Sequence, residues 1–361
     1  MQTCDILRPR NFRLQWAGLF SVFAAMTLTS VAQTVTTVPV GAVTVTIAAG
    51  TGTVKNATIV SFPLINSTVV NGTGTGVIAS ITSNTITCTS AGWTSSALAQ
   101  SATPYLVKIT TGSAAGRTFI ISGNTADTLT INTSDGVSAT PVDLSSLGIA
   151  TGSGGDTFKI ENADTILSIF GAGDSLGAAG PLGGSNPNLV DTIQLNIANS
   201  YQTYYYDTTQ SSWVNVASEA LSNNVIIRPD AAVIYNRIQN TAFTILVTGL
   251  VPDIPRRSIV RSGQVTILST YWPLNTTLAG LALQNLSGWV AASDPNIADT
   301  VQLRMGSSWK TCYYDGSNWI DLASEAVANG FTVGAGSGLT IRKRAVTGTP
   351  VIFNQALPYS L

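Results

Sequence analysis

Short runs of alternating apolar and polar residues recur along most of the chain, bounded by Gly, Pro, Asn, Asp or Ser. A period of two marks a half-buried β-strand, because successive side chains of an extended chain point to opposite faces. Asp191-Thr192-Ile193-Gln194-Leu195 and Asp299-Thr300-Val301-Gln302-Leu303 carry the pattern clearly. Val225-Ile226-Ile227 and Val233-Ile234-Tyr235 straddle Arg228-Pro229-Asp230, a turn former. Tyr204-Tyr205-Tyr206-Asp207 and Trp213-Val214 flank the polar linker TTQSS, which predicts a hairpin whose rings meet across the strands. A single helical turn is readable in ASEAL (217–221) and ASEAV (323–327), too short to stand alone.

These patterns repeat. Ser185 to Asp207 (SNPNLVDTIQLNIANSYQTYYYD) matches Ser293 to Asp315 (SDPNIADTVQLRMGSSWKTCYYD) at 12 of 23 positions, 108 residues later. After a two-residue shortening WVNVASEAL (213–221) matches WIDLASEAV (319–327) at 5 of 9, and the likeness fades out at Leu250-Val251-Pro252 against Ala356-Leu357-Pro358. Such self-similarity is a duplication. The front of the second copy, a strand ending in Trp272-Pro273-Leu274, has its counterpart in Phe62-Pro63-Leu64, about a hundred residues ahead of the rest of the first copy.

An insertion in the first copy explains that gap, since loop tips accept added chain at small entropic cost. The interrupted region holds five more short strands: 77–81, 85–88, 105–109, 118–121 and 128–131, separated by Gly and Asn turns. That spacing predicts a small barrel-like domain. The sequence therefore divides into a signal peptide (1–32), a first β unit (33–65 plus 161–254), an inserted small β domain (66–160) and a second β unit (255–361). The fold class expected is all-β: a duplicated sandwich- or barrel-like unit with a barrel-like insertion.

Composition narrows the chemistry. Of 361 residues only 10% are charged, 17 Lys+Arg against 18 Asp+Glu, and hydroxyl side chains supply most of the polarity. There is no histidine, which excludes Ser-His-Asp and Cys-His relays and imidazole metal ligands. A balanced charge lacks the clustered cations a nucleic-acid partner requires. The basic run Arg342-Lys343-Arg344, like Arg256-Arg257 and Arg261, reads as a solvated strand end.

Arg8, Arg10 and Arg13 precede an apolar stretch from Trp16 to Leu28, followed by Ser30-Val31-Ala32. This is an export signal with cleavage after Ala32, and the stretch is short for a membrane span. No membrane span is expected in the mature chain. It keeps two cysteines, Cys88 and Cys312, whose bridging the sequence leaves open.

The order of signal peptide, Phe62-Pro63-Leu64 strand, the segment YLVKITTGSAAGRTFIISGNTADTLTI (105–131), GDTFKI (155–160) and the paired DTIQL/YYYD/W blocks resembles a conserved hypothetical family of exported verrucomicrobial β-rich proteins. The resemblance implies export and a β architecture, and brings no activity, cofactor or catalytic residue.

The acids Asp191/Asp299, Asp207/Asp315 and Glu219/Glu325 recur at matched positions. Paired carboxylates can serve glycoside hydrolysis or hold Ca²⁺. The simpler reading is structural, with Asp191 and Asp299 opening strands, and Asp207 and Asp315 opening turns, where a carboxylate bonds its own following amides. No calcium loop, P-loop or G-x-S-x-G elbow occurs. The credible binding feature is the hairpin aromatics. Tyr205, Tyr206, Trp213, Tyr313, Tyr314 and Trp319 are candidates to stack on a sugar ring, because alternate residues of a strand cannot all enter one core.

The expectation is an exported, non-enzymatic structural or adhesive protein of the cell envelope or exterior, with no cofactor, no metal and no nucleic-acid partner. Its expected partner is an envelope or extracellular polysaccharide, or another surface protein. Carbohydrate binding through the hairpin aromatics is one alternative, and an outer-membrane β-barrel another.

Overall fold

The computed structural model describes residues 39–66, 75–99, 102–134, 142–174, 177–197, 200–305, 308–344 and 351–360. Residues 1–32, expected as a signal peptide, lie outside the described residues. The fold is all-β; the one α-helix among the described residues is the five-residue Ile166–Phe170, capped by Thr165 and Ser168.

In chain order the strands are β1 (Val40–Ile47), β2 (Asn56–Val60), β3 (Thr75–Val77), β4 (Ser80–Ile81), β5 (Thr85–Thr87), β6 (Tyr105–Ile109), β7 (Thr118–Asn124), β8 (Thr128–Asn132) and β9 (Thr157–Asn162). There follow β10 (Asp164–Thr165), β11 (Thr192–Ile197), β12 (Ser200–Asp207), β13 (Ser212–Asn215), β14 (Ile226–Ile227), β15 (Val233–Arg237) and β16 (Phe243–Leu250). The last nine are β17 (Arg256–Val260), β18 (Val265–Ser269), β19 (Thr276–Thr277), β20 (Thr300–Met305), β21 (Ser308–Tyr314), β22 (Trp319–Asp321), β23 (Thr332–Val333), β24 (Gly338–Arg342) and β25 (Val351–Gln355).

Two five-stranded antiparallel sheets run in the same order, β13-β12-β11-β15-β2 and β22-β21-β20-β24-β18. Each is accompanied by two short ladders in matching places, β1-β16 with β10-β14 and β17-β25 with β19-β23. The strand alternation sorts the side chains. Val43, Val45 and Ile47 of β1 and Phe243 and Val247 of β16 pack with Ile193, Leu195, Tyr204, Tyr206, Trp213 and Tyr235 of the five-stranded sheet. A second core holds Val301, Leu303, Cys312, Trp319, Leu339 and Ile341 with Val260 and Phe353. The two cysteines are free thiols buried in separate cores, and burial pushes the Cys312 thiol up to about 12.

Between β2 and β10 the chain builds a third body, a seven-stranded sheet ordered β3-β9-β6-β7-β8-β5-β4 around Ile86, Val107, Phe119, Leu129 and Phe158. Residues 77–81, expected as one strand, are split. Ile78 N–H donates to Asp156 O at 2.8 Å on the β9 side, while Ala79 N–H donates to Thr87 O at 2.8 Å on the β5 side. One kinked segment thus borders both edges of the sheet. No ladder joins β3 to β4, and none of the sheets closes into a barrel. The barrel-like expectation for this body is corrected to a curled, open sheet.

The two five-stranded sheets meet along a reciprocal seam. Val60 of the first bridges Ser337 of the second, and Leu268 of the second bridges Ala231 of the first. Val60 pairs with Val233 in its own sheet just as Leu268 pairs with Leu339, so the bridges join like to like. A contact in which i meets j and j meets i is what a two-fold interface produces, here within one chain. Ser61 reinforces the seam, its N–H donating to Gly336 O and its hydroxyl to Ser337 O, both at 2.8 Å.

Approach is close enough that Gly338 has no room for a side chain. A Cβ there would lie 2.6 Å from the Cβ of Ala232, and closer still to Ile59 Cγ2. Gly338→Ala is expected to destabilise the protein by about 1–3 kcal/mol through overpacking, with partial recovery in Ala232→Gly/Gly338→Ala. Urea unfolding of the three proteins checks this, and an unchanged midpoint for Gly338→Ala would contradict the seam packing.

Candidate functional site

Trp213 and Trp319 lie at equivalent points on β13 and β22, and both are 0% exposed. Each has its backbone N–H held by an asparagine side chain, Asn223 at 2.8 Å and Asn329 at 2.7 Å. Register places Tyr206 opposite Trp213 and Tyr314 opposite Trp319, with ring centroids 5.8 and 5.6 Å apart. Tyr205 and Tyr206 do point to opposite faces, and both faces are covered. Tyr206 enters the main core, while Tyr205 packs with Val190 and Val214 beneath the loop that contains Leu182. Tyr313 and Tyr314 are half-buried. Of the six aromatic candidates, four are therefore enclosed by the protein and offer no free ring face. Alternation along β12 sends the tyrosines to two faces, and a loop outside the hairpin closes over the second.

The recurring aspartates do something the sequence does not show. Asp191 and Asp299 are fully buried, each paired with a buried cation from the end of a distant strand: Arg237 Nη1 at 2.8 Å and Lys343 Nζ at 2.9 Å. Asp191 Oδ2 also accepts from Leu182 N–H at 3.0 Å and Tyr235 Oη–H at 2.9 Å, and Oδ1 accepts from Ile238 N–H at 2.8 Å. Asp299 repeats this with Val290 N–H at 2.9 Å and Arg344 N–H at 2.7 Å. Each cation also donates to a loop carbonyl at 2.6 Å, Gly180 O for Arg237 and Gly288 O for Lys343.

The result is one clip per copy, tying the loop before β11 or β20 to the end of β15 or β24. Both carboxylates are fully buried and held by internal donors, three on Asp299 and four on Asp191. Asp191 and Asp299 immediately precede their strands, as expected, and bond residues remote in sequence. One sequence expectation is corrected here. Lys343 is buried, so the basic run at 342–344 is solvated only in part.

Asp207 and Asp315 behave as turn residues. Asp207 Oδ1 accepts from the Thr209 hydroxyl and from Thr209 N–H at 2.8 Å, and Asp315 Oδ1 from Asn318 and Ser317 N–H at 2.7 Å, hydrogen bonds that lower both carboxyls. Glu219 and Glu325 are exposed and share a left-handed backbone, φ 57° and 56°, that closes the single turn of ASEAL and ASEAV. Among the described residues no three metal-capable side chains cluster.

Charge converges instead where the three bodies meet. A cleft there is lined by Arg117 of the inserted body, Arg228 and Asp230 from the first copy, and Arg256 and Arg257 from the second. Arg228 belongs to a turn former, and Arg256-Arg257, expected as a solvated strand end, instead has Arg256 buried at 4% exposure; no local pattern brings these arginines and Arg117 together. An adjoining cleft shares Arg228 and Arg256 and adds Glu161 and Asp164. A larger cavity lies elsewhere, a groove of about 600 Å³ between β25 and residues 272–287, with Trp272, Leu281, Leu286 and Phe353 among its walls. No family model, curated protein or solved structure matches the chain.

The clips are expected to be asymmetric in their cost. Lys343→Met leaves Asp299 with its two amide donors, whereas Asp299→Ala strands a buried ammonium and two amides. Both lose stability, on the order of 3–5 kcal/mol for breaking a buried pair, with Asp299→Ala the worse. Chemical unfolding of the two variants ranks them.

Burial raises the Asp164 carboxyl from 3.8 to about 6, against opposing contributions from Asn66 and Arg256. A raised folded-state value penalises the ionised form. The penalty is absent below pH 3.8, grows as pH rises, and is complete above about pH 6. Asp164→Asn is therefore expected to gain about 1–2 kcal/mol at pH 7.5, less than the full shift because the group is only half-buried, and nothing at pH 3.5. Thermal unfolding across that range tests the sign.

Proposed function

We propose that the chain is an exported, non-enzymatic β protein of the cell envelope or exterior that works by surface contact, in a structural or adhesive role. One observation carries the reading. Ten of the seventeen large apolar side chains left exposed among the described residues recur as pairs at equivalent positions of the two copies: Leu189 with Ile297, Tyr201 with Trp309, Val216 with Leu322, Leu221 with Val327, and Leu246 with Ile352. Isolated exposed apolar residues are ordinary on any protein. Matched exposure in two copies that have otherwise diverged at about half their positions is a different matter, because a solvent-facing leucine contributes little to folding.

Such paired positions give one chain two similar contact faces, and two linked faces raise avidity for a repetitive surface well beyond either alone. The internal pairing of Asp191 and Asp299 and the enclosure of Tyr205, Tyr206, Trp213 and Trp319 support the same reading, since these residues serve the fold.

The test compares association of the purified mature chain with cell-envelope preparations for the wild type, Leu221→Ser, Val327→Ser and the double variant. These exposed positions should leave unfolding unchanged. Each single variant is expected to bind weakly, and the double variant to lose binding by a factor of about 10² or more if the faces act together. Equal association of all four proteins would sink the proposal.

A further inference from the structure

Most of what recurs in the two copies has a structural use; the arginines of the three-body cleft do not recur. Gly334 stands in the second copy where Arg228 stands in the first, 106 residues apart, the offset that relates β15 to β24. By the same offset and the strand registers, Gly41 and Ala42 stand where Arg256 and Arg257 stand. In a chain with 17 basic residues, three such departures meet a fourth arginine, Arg117, which the inserted body brings.

Part of this charge docks the bodies: Arg228 Nη2 donates to Thr118 O at 3.0 Å, and Arg257 Nη1 to Ser113 O. Within its own turn, Arg228 Nε donates to Asp230 Oδ1 at 3.0 Å. Docking leaves a remainder. Arg228 Nη1, Arg256 Nη1 and Arg257 Nε are buried and have no hydrogen-bond partner in the protein. Arg256 is 4% exposed, and its guanidinium carbon lies 5.3 Å from the centre of the Tyr271 ring.

The nearby carboxylates do not neutralise Arg256 by contact. Glu161 is taken by Lys108, and Asp164 accepts from Asn66 and is pushed toward its neutral form. A buried guanidinium without a counter-charge is costly, and buried donors without acceptors are rare in folded proteins. An oxyanion supplies both missing elements, since arginine forks match its geometry.

The geometry points to an anion-binding site in this cleft for a single sulfate, phosphate or carboxylate group. The enclosed part of the cleft is about 20 Å³, which suits the tip of one small group and not a sugar ring or a nucleotide. A bound anion would join residues of all three bodies. The inference goes beyond the surface-contact role and does not depend on it.

The experiment titrates the mature full-length chain with sodium sulfate against sodium chloride at equal ionic strength, reading the melting temperature. The wild type is expected to show a saturable rise in sulfate only, lost in Arg228→Gln and Arg256→Gln and kept in Arg342→Gln, an exposed control outside the cleft. Sulfate also strengthens folding non-specifically and without saturation, so an equal, linear response in all four proteins overturns the site. If Arg256→Gln fails to fold, phenylglyoxal modification of the wild type decides. Sulfate at four times its dissociation constant should slow labelling of Arg228 and Arg257 about fivefold and leave Arg342 unchanged. No protection overturns the inference. Retention on dextran sulfate, but not dextran, that inorganic sulfate displaces assigns the anion to a polymer substituent, and inorganic sulfate acting alone assigns it to a free ion.

Discussion

The reciprocal seam between the two five-stranded sheets governs the rest of the molecule. A strand at the edge of a sheet presents unpaired amides and carbonyls that must be covered or matched. β2 and β18 are such edges, and each finds a bridge in the other copy, Val60 to Ser337 and Leu268 to Ala231. The duplication thus pairs its own exposed edges within one chain. Close approach at Ala232 and Gly338 follows from that pairing, and so does the placing of the turn at 228–230 beside the start of β17.

Around the seam, identical chemistry recurs where it holds the copies in shape. The buried clips Asp191–Arg237 and Asp299–Lys343 use different cations but the same partners: a carboxylate that accepts from one loop amide and one strand-end amide, and a loop carbonyl that accepts from the cation. Arginine and lysine are poor substitutes where a guanidinium binds in a fork. Here each cation makes a single contact to the carboxylate, and one well-placed nitrogen suffices. The same economy explains the tryptophans, whose sequence prominence reflects burial and an asparagine at each backbone amide.

The inserted body breaks the symmetry. It docks on one side of the seam through Arg228, Arg257 and the Lys159–Asp253 pair, and the arginines that gather there have no counterparts on the other side. Symmetric features build the scaffold, and the asymmetric ones leave charge unsatisfied.

Local pattern was enough to read the all-β class, the turn role of Asp207 and Asp315, and the strands beginning at Thr192 and Thr300, because period two and turn chemistry act over a few residues. The absence of histidine likewise limits the chemistry with no structure at hand. Tertiary structure alone decided which tyrosine faces are covered, where the clip aspartates reach and where the arginines collect. Asp191 meets Arg237 across 46 residues, and Arg228 meets Thr118 across 110. Contacts at such separations depend on how finished sheets pack, and alternation within a strand, which fixes only the side a residue faces, carries no record of what will lie against it.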